Sequence, residues 1–120
     1  MATRATVTAA ELAGDVVAGM GVASVQARFV IRDNTPERLA CEAEIHFHGG
    51  VLDGMKLVGF SIWRSPEGEL YVTFPSRAFG TGNERRFFDF LRSVEGNSSG
   101  AKRIKAWILD SYREWREGGD

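Results

Sequence analysis

The fold is decided by residues 39–74, which read LACEAEIHFHGGVLDGMKLVGFSIWRSPEGELYVTF. Over about 39–47 apolar side chains alternate with glutamates and histidines, a period of two that is typical of a strand with one buried face. Glycines then break the pattern, and the sequence Ser65-Pro66-Glu67-Gly68 predicts a tight hairpin turn. We therefore expect three antiparallel strands, at about 39–47, 55–63 and 70–74, joined by short turns.

The strand expected at 55–63 carries apolar residues on both faces. Strict alternation puts Leu57 and Trp63 on one face. The other face then holds Val58, Phe60 and Ile62. Two apolar faces predict a central strand, or one covered by a helix or by a second subunit.

The segments on either side of this meander extend the prediction. Residues Val25, Ala27, Phe29 and Ile31 alternate with polar ones and predict a strand that begins at Ser24. A helix is expected from about Ser99 to Arg116, with its N-cap at Ser98 or Ser99. One face of that helix is apolar and is expected to pack on the sheet; it comprises Ile104, Trp107, Ile108, Ser111, Tyr112 and Trp115.

The predicted fold class is α+β: a twisted antiparallel meander with a C-terminal helix packed on it, over residues 22–117. Residues 1–21 are interpreted as an N-terminal extension, in which Thr8 and Glu11 fit a capping box for a short helix over about 9–18. Residues 75–97 are less regular. There Gly80-Thr81-Gly82-Asn83 predicts a flexible loop tip, and residues 87–91 are compatible with a short strand.

Composition and charge narrow the function classes. Among the 120 residues, 43% are hydrophobic and 26% charged, which indicates one globular domain rather than a disordered chain. The single cysteine, Cys41, excludes an intramolecular disulfide, and no secretion signal or membrane span is evident, so a cytoplasmic location is expected. The net charge is only −1, but residues 77–105 carry seven basic and three acidic side chains, a local net of +4.

Three segments resemble parts of a known bacterial family. The sequence Phe74-Pro75-Ser76-Arg77 follows a strand–turn–strand unit and resembles the apolar-Pro-Ser-basic signature of the SpoVG family, the stage V sporulation or septation proteins. Asn97-Ser98-Ser99 opens a helix that is similar to the family's C-terminal helix through Arg103-Ile104, Ile108-Leu109-Asp110 and Tyr112. Residues 22–32 look like the family's first strand.

The resemblance implies an α+β domain that forms a homodimer through its sheet. It also implies DNA or RNA binding, linked to septation, sporulation or the control of gene expression. Family members place nucleic-acid contacts around the Pro-Ser-basic loop, where Arg77 matches and Arg85 and Arg86 match approximately.

The candidate nucleic-acid-binding residues form two basic groups and one ring. Arginine side chains match phosphate oxygens and stack on bases, which favours Arg77, Arg85 and Arg86 beside the glycine tip. The helix start is the second group, because its free N–H groups suit an anion; it comprises Lys102, Arg103 and Lys105. Phe79 is the candidate for base stacking, although core or dimer packing is the favoured interpretation of Phe79, Phe87, Phe88 and Phe90.

Few residues in the sequence favour metal binding, cofactor binding or catalysis. His46, His48 and Asp53 are too few for a zinc site, so no metal and no cofactor are expected. The pair Glu42 and Glu44 is expected on a solvated strand face rather than in a catalytic cleft, and no enzyme activity is predicted. Cys41 is interpreted as a small buried apolar residue.

The alternative to nucleic-acid binding is a protein-interaction adaptor in cell division or developmental control. It is favoured by the nearly neutral net charge and by Ala78, where the family often has a second basic residue.

Overall fold

The computed structural model describes residues 6–8 and 23–118. The strands are β1 (Thr6–Thr8), β2 (Ser24–Val30), β3 (Leu39–His48), β4 (Lys56–Arg64), β5 (Leu70–Thr73), β6 (Ser76–Phe79) and β7 (Arg86–Asp89). The helix α1 spans Ser99–Glu117. In this part of the chain no helix is long and apolar enough to cross a membrane.

The first five strands form one antiparallel sheet in the order β1-β2-β3-β4-β5, so neighbours in the chain are neighbours in space. The antiparallel meander with a C-terminal helix is therefore confirmed, and the predicted bounds of β3 to β5 and α1 hold to within one residue. β2 begins at Ser24 as predicted but ends at Val30, so Ile31, expected on its buried face, lies outside the strand and is 62% exposed. Three residues of the N-terminal segment add a strand at the edge, where Val7 pairs with Val25. The helix predicted over 9–18 lies outside the described residues.

The core lies between one face of the sheet and the apolar face of α1. Its buried members on the helix are Ile108, Ser111, Tyr112 and Trp115, as the helical spacing predicts. Phe29 on β2 packs edge-on against Tyr112, with 5.6 Å between ring centroids, and tilts against Trp115 at 5.3 Å. Cys41 is buried in the same layer, which confirms its interpretation as a core residue.

Strand β4 departs from strict alternation because of a bulge. Phe60 pairs with Ala43 but Leu57 pairs with Ile45, so three steps on β4 oppose two on β3. Leu57 consequently packs against the core with Phe60, whereas Val58 is left exposed. The prediction that grouped Val58 with Phe60 and Ile62 on one face was therefore wrong for Val58.

Residues 76–89 are more regular than the sequence indicated. β6 and β7 form a second, two-stranded antiparallel sheet, in which the short strand expected at 87–91 is found at Arg86–Asp89. The loop tip is an ordered 3-10 turn over Gly82–Glu84 rather than an irregular loop. Gly80 has a φ of 82°, and a Cβ there would stand 2.6 Å from the carbonyl oxygen of Glu84, so the turn needs glycine at this position.

The start of α1 is capped from one residue further back than expected. Ser98 occupies the N-cap position but makes no side-chain capping bond. Instead Asn97 Oδ1 accepts a hydrogen bond from the backbone N–H of Ser99 at 3.1 Å and another from its hydroxyl at 2.7 Å. The helix start therefore depends on the Asn97 amide oxygen.

Candidate nucleic-acid interface

The β6–β7 hairpin is attached to the sheet through Phe74 and Pro75. Phe74 is buried and packs edge-on against Phe60, with 5.4 Å between centroids. Gly59, at the β4 bulge, has a φ of 104°, and a Cβ there would approach the Pro75 Cβ to 2.8 Å. The Pro75 carbonyl accepts a hydrogen bond from the Phe90 N–H at 2.8 Å, which holds the end of β7 beside the start of β6. These contacts fix the direction in which the hairpin leaves the body of the protein.

The register of the hairpin separates its side chains into two faces. Directly opposed residues of an antiparallel pair share a face, and faces alternate along each strand. Arg77 opposes Phe88 and Phe79 opposes Arg86 on one face. The other face pairs Ser76 with Asp89 and Ala78 with Phe87.

The first face continues beyond the end of β7. An open depression of about 450 Å³ is lined by Arg77, Phe79, Phe88, Asp89, Phe90 and Arg92. Asp89 borders this depression although the register places it on the opposite face. We call the following set the arginine–phenylalanine face: Arg77, Phe79, Arg86, Phe88, Phe90 and Arg92.

The four phenylalanines of the segment are exposed to solvent. Phe79 and Phe88 are each 46% exposed, Phe90 is 63% exposed and Phe87 is 64% exposed. The expectation of core packing was therefore wrong, whereas packing at a dimer interface stays a prediction. Within residues 6–8 and 23–118, β6 and β7 pair only with each other and not with the five-stranded sheet, which leaves seven of their eight residues exposed.

Contacts within the hairpin order some of these side chains. The rings of Phe79 and Phe88 meet edge to face, with centroids 5.2 Å apart. The guanidinium of Arg77 lies 4.9 Å from the centroid of the Phe79 ring, a cation–π distance. Arg85, in the connecting loop, lies over Phe87 at 5.2 Å and so belongs to the opposite side of the hairpin.

The helix-start cations divide between the two sides. Lys102 and Arg103 are exposed, whereas Lys105 is partly buried with Nζ 5.3 Å from the Phe74 ring centroid. Arg103 shares a depression of about 260 Å³ with Arg92, which connects it to the arginine–phenylalanine face. Lys105 shares another, of about 500 Å³, with Phe87 and Asp89 on the opposite side.

The structure divides the basic residues predicted for binding between two sides of the hairpin. Arg77 and Arg86 lie on the arginine–phenylalanine face with Arg103 beside it, whereas Arg85 and Lys105 lie on the opposite side. Sequence reasoning missed Arg92, Phe88 and Phe90 as members of the site. The signal was present, because positions 86, 88, 90 and 92 read Arg-Phe-Phe-Arg with a period of two. It becomes visible only when residues 86–89 are known to be a strand.

These cations have no ion-pair partner in the part of the chain that the structure describes. Within residues 6–8 and 23–118, no carboxylate oxygen lies within 4.0 Å of the charged nitrogens of the seven basic residues between 77 and 105. The ion pairs that do form lie on the sheet and on the far part of α1, such as that of Arg32 with Glu42 at 2.9 Å. The positive field of this end is therefore not neutralised locally.

The polar face of the sheet holds the remaining candidates. His46 Nε2 donates to Glu44 Oε1 at 3.0 Å, and this bond is the largest cause that lowers the pKa of Glu44 below its usual range, with Lys56 adding to it. Asp53 accepts a hydrogen bond from the Gly49 N–H at 2.7 Å and so closes its own loop. No group of three metal-ligating side chains occurs among the described residues. Burial raises the pKa of the Cys41 thiol to about 12, so the thiolate is not populated at neutral pH.

Comparisons of the chain with protein-family models, with curated proteins and with solved structures found no match. The resemblance to the SpoVG family therefore stays a prediction that depends on the residues quoted for it.

Proposed function

We propose that this protein is a nucleic-acid-binding regulator of the SpoVG type, which binds DNA or RNA as a homodimer and has no enzymatic activity. The proposed roles are the control of septation, of sporulation or of gene expression. The proposed contacts are with phosphates through Arg77, Arg85, Arg86, Lys102, Arg103 and Lys105, with Phe79 against a base.

The observation that carries the proposal is that the basic side chains around the hairpin pair with no carboxylate among the described residues. Arginines that already pair with carboxylates would have to break those pairs to bind phosphate, and within residues 6–8 and 23–118 these arginines have no such pairs. A charge of +4 over residues 77–105, in a chain of net charge −1, concentrates the attraction for a polyanion at one end.

Dimer formation would strengthen such binding. Strand β5 ends the five-stranded sheet, so its outer edge is available for pairing among the described residues. Two copies related by a two-fold axis would double the number of phosphate contacts on one nucleic acid.

The test is fluorescence anisotropy with labelled single- and double-stranded DNA and RNA, at about 50 and 200 mM salt. Wild-type affinity should fall about tenfold or more between these salt concentrations, since each phosphate contact releases counterions. The variant with Arg77, Arg85 and Arg86 all replaced by alanine should lose binding.

A matched control removes three positive charges elsewhere, through Arg38→Ala, Arg64→Ala and Arg113→Ala, all at exposed positions. This control should retain most of the wild-type affinity. Absence of wild-type binding up to high micromolar concentrations would exclude the proposal, and equal losses in the two triple variants would exclude a localised site.

A protein-interaction adaptor is the second candidate. It is favoured by exposed apolar residues near the β3–β4 connection, where Val51, Leu52 and Met55 are 77%, 49% and 60% exposed. Such a patch is typical of a protein contact. Under this alternative a protein partner would remain bound to the triple variant lacking Arg77, Arg85 and Arg86.

A further inference from the structure

The arginine–phenylalanine face has the composition of a platform for unpaired bases. Resting on the proposed nucleic-acid function, we propose that this face binds single-stranded nucleic acid by stacking bases on Phe79, Phe88 and Phe90, and that it discriminates against duplex.

Arginines and phenylalanines alternate along this face. Along β7 and its continuation, Arg86, Phe88, Phe90 and Arg92 follow one another at every second residue. Across the hairpin each ring on a strand opposes an arginine, since Arg77 opposes Phe88 and Phe79 opposes Arg86. A strand of nucleic acid presents the matching alternatives, an anionic phosphate and an apolar ring, in every nucleotide.

The solvent exposure of Phe79, Phe88 and Phe90 also favours base stacking. The three rings of the face are 46% to 63% exposed, so each leaves apolar surface in water until something apolar covers it. The three rings of the face border one open depression with Arg77 and Arg92 at its walls, so a planar group that enters it meets rings and guanidinium planes together. An uncharged protein surface would cover the rings but would leave these arginines without anions, and this charge requirement favours a nucleic acid.

The preference for unpaired bases follows from geometry. In a duplex both faces of each base are already stacked, so contact with the rings would require unstacking at a cost of a few kcal/mol per step. A single strand has base faces available at no such cost. A duplex can therefore bind to this face only through contacts between its phosphates and the arginines.

The opposite face of the hairpin supplies an internal control. Phe87 lies on the same strand as Phe88 and is more exposed, but its face carries Ser76, Ala78 and the acidic Asp89. Its neighbouring cations are Arg85, which lies over the ring at 5.2 Å, and Lys105. If an exposed ring beside a cation were enough for binding, Phe87 would contribute as much as Phe88. If binding needs the alternating rings and arginines of the arginine–phenylalanine face, Phe87 contributes little.

The experiment measures anisotropy of the full chain with three labelled probes of equal length: a single strand, its duplex, and a single strand in which the central nucleotides are abasic. The abasic probe keeps the phosphates and removes the bases. We expect the single strand to bind about tenfold or more tighter than either of the other probes.

Variants then assign the effect to residues. Phe79→Ala and Phe88→Ala should each weaken single-strand binding by about tenfold, leave duplex binding within about twofold and leave the salt dependence unchanged. Phe87→Ala should change both by less than about twofold. Phe79→Trp, which keeps an aromatic plane, should retain the affinity that Phe79→Leu loses, and circular dichroism checks that each variant is folded.

The outcomes separate the two proposals. If no probe binds, the proposed function fails and this inference fails with it. If the abasic strand and the duplex bind as tightly as the intact strand, phosphate binding stands and base stacking is overturned. If Phe79→Ala changes the sedimentation of the protein but not its affinity, the face is an interface between two copies, which also overturns base stacking.

Discussion

The five-stranded sheet and the β6–β7 hairpin use the same backbone arrangement for opposite purposes. Both are antiparallel, and both alternate side chains between two faces. The sheet buries one of its faces under α1, so the aromatic residues on that face, such as Phe29 and Phe60, pack in the core. All eight strand residues of the hairpin except Ala78 are exposed, so its aromatic residues remain available to a ligand. Burial, and not residue type, therefore decides what a phenylalanine does in this protein.

The comparison also shows how the hairpin is stabilised. An isolated two-stranded hairpin is only marginally stable in water. Here the attachment at Gly59, Phe74 and Pro75 transmits the order of the sheet to the hairpin. Substitutions in the sheet, in the hairpin and at their connection are therefore expected to change the stability of the protein by different amounts.

The largest effect is expected from one phenylalanine in each region. Phe60 is 0% exposed and Phe87 is 64% exposed. Phe60→Ala should lower the free energy of unfolding by about 3–5 kcal/mol because it leaves a cavity. Phe87→Ala should change it by less than about 0.5 kcal/mol. Urea unfolding followed by tryptophan fluorescence measures both, and equal losses would mean that the hairpin is packed against something in solution.

The next effect concerns the connection between the regions. Gly59→Ala should destabilise the protein by about 2–3 kcal/mol, because the positive φ is strained for alanine and the new Cβ meets Pro75. Gly54→Ala is the matched control: its φ of 82° imposes a similar strain, but no atom lies within 4 Å of the new Cβ. We expect about 1 kcal/mol for the control. Equal values in urea titrations would show that the contact with Pro75 is unimportant.

A smaller effect tests the start of the helix that covers the sheet. Asn97→Ala should lower the free energy of unfolding by about 1 kcal/mol, since it removes the acceptor of the Ser99 N–H. Ser98→Ala should lower it by less than about 0.5 kcal/mol, because Ser98 makes no side-chain capping bond. The reverse order in thermal or urea unfolding would show that the Ser98 side chain, one of the two caps predicted from the sequence, stabilises the helix start more than Asn97 does.

The smallest effect is a pH dependence on the polar face of the sheet. Because its pKa is lowered in the folded state, Glu44 contributes stability that is complete above the ordinary glutamate pKa of 4.5 and is lost as the pH falls through the lowered value. Glu44→Gln should therefore flatten the acid side of the stability profile, by less than about 1 kcal/mol. Glu67→Gln, in an exposed turn, is the control. Urea titrations between pH 3 and pH 7 make the comparison, and identical profiles would contradict it.

Much of the fold could be predicted from local patterns, and less of the site. The period of two in residues 39–47 and the apolar stripe of α1 each reflect contacts with a single opposing layer, so the sequence carries them directly. The candidate site was predicted as a set of cations near Arg77. Its division into two faces depends on the pairing of β6 with β7, which places Arg85 with Phe87 and separates both from Arg77. Side chains in a loop do not alternate between two faces. Loop composition therefore could not have assigned these residues to one face or the other.

Four features could be predicted from the sequence alone: the α+β class, the order of β2 to β5, the apolar face of α1 and the position of the basic segment. Those features follow from periodicity, turn chemistry and charge, which act over a few residues. Two others depend on tertiary packing: Leu57 rather than Val58 packs in the core, and Phe79 and Phe88 face solvent beside arginines. Both outcomes depend on Gly59: its bulge shifts the register of β4 and leaves room for Pro75, and the direction of the hairpin follows from that contact.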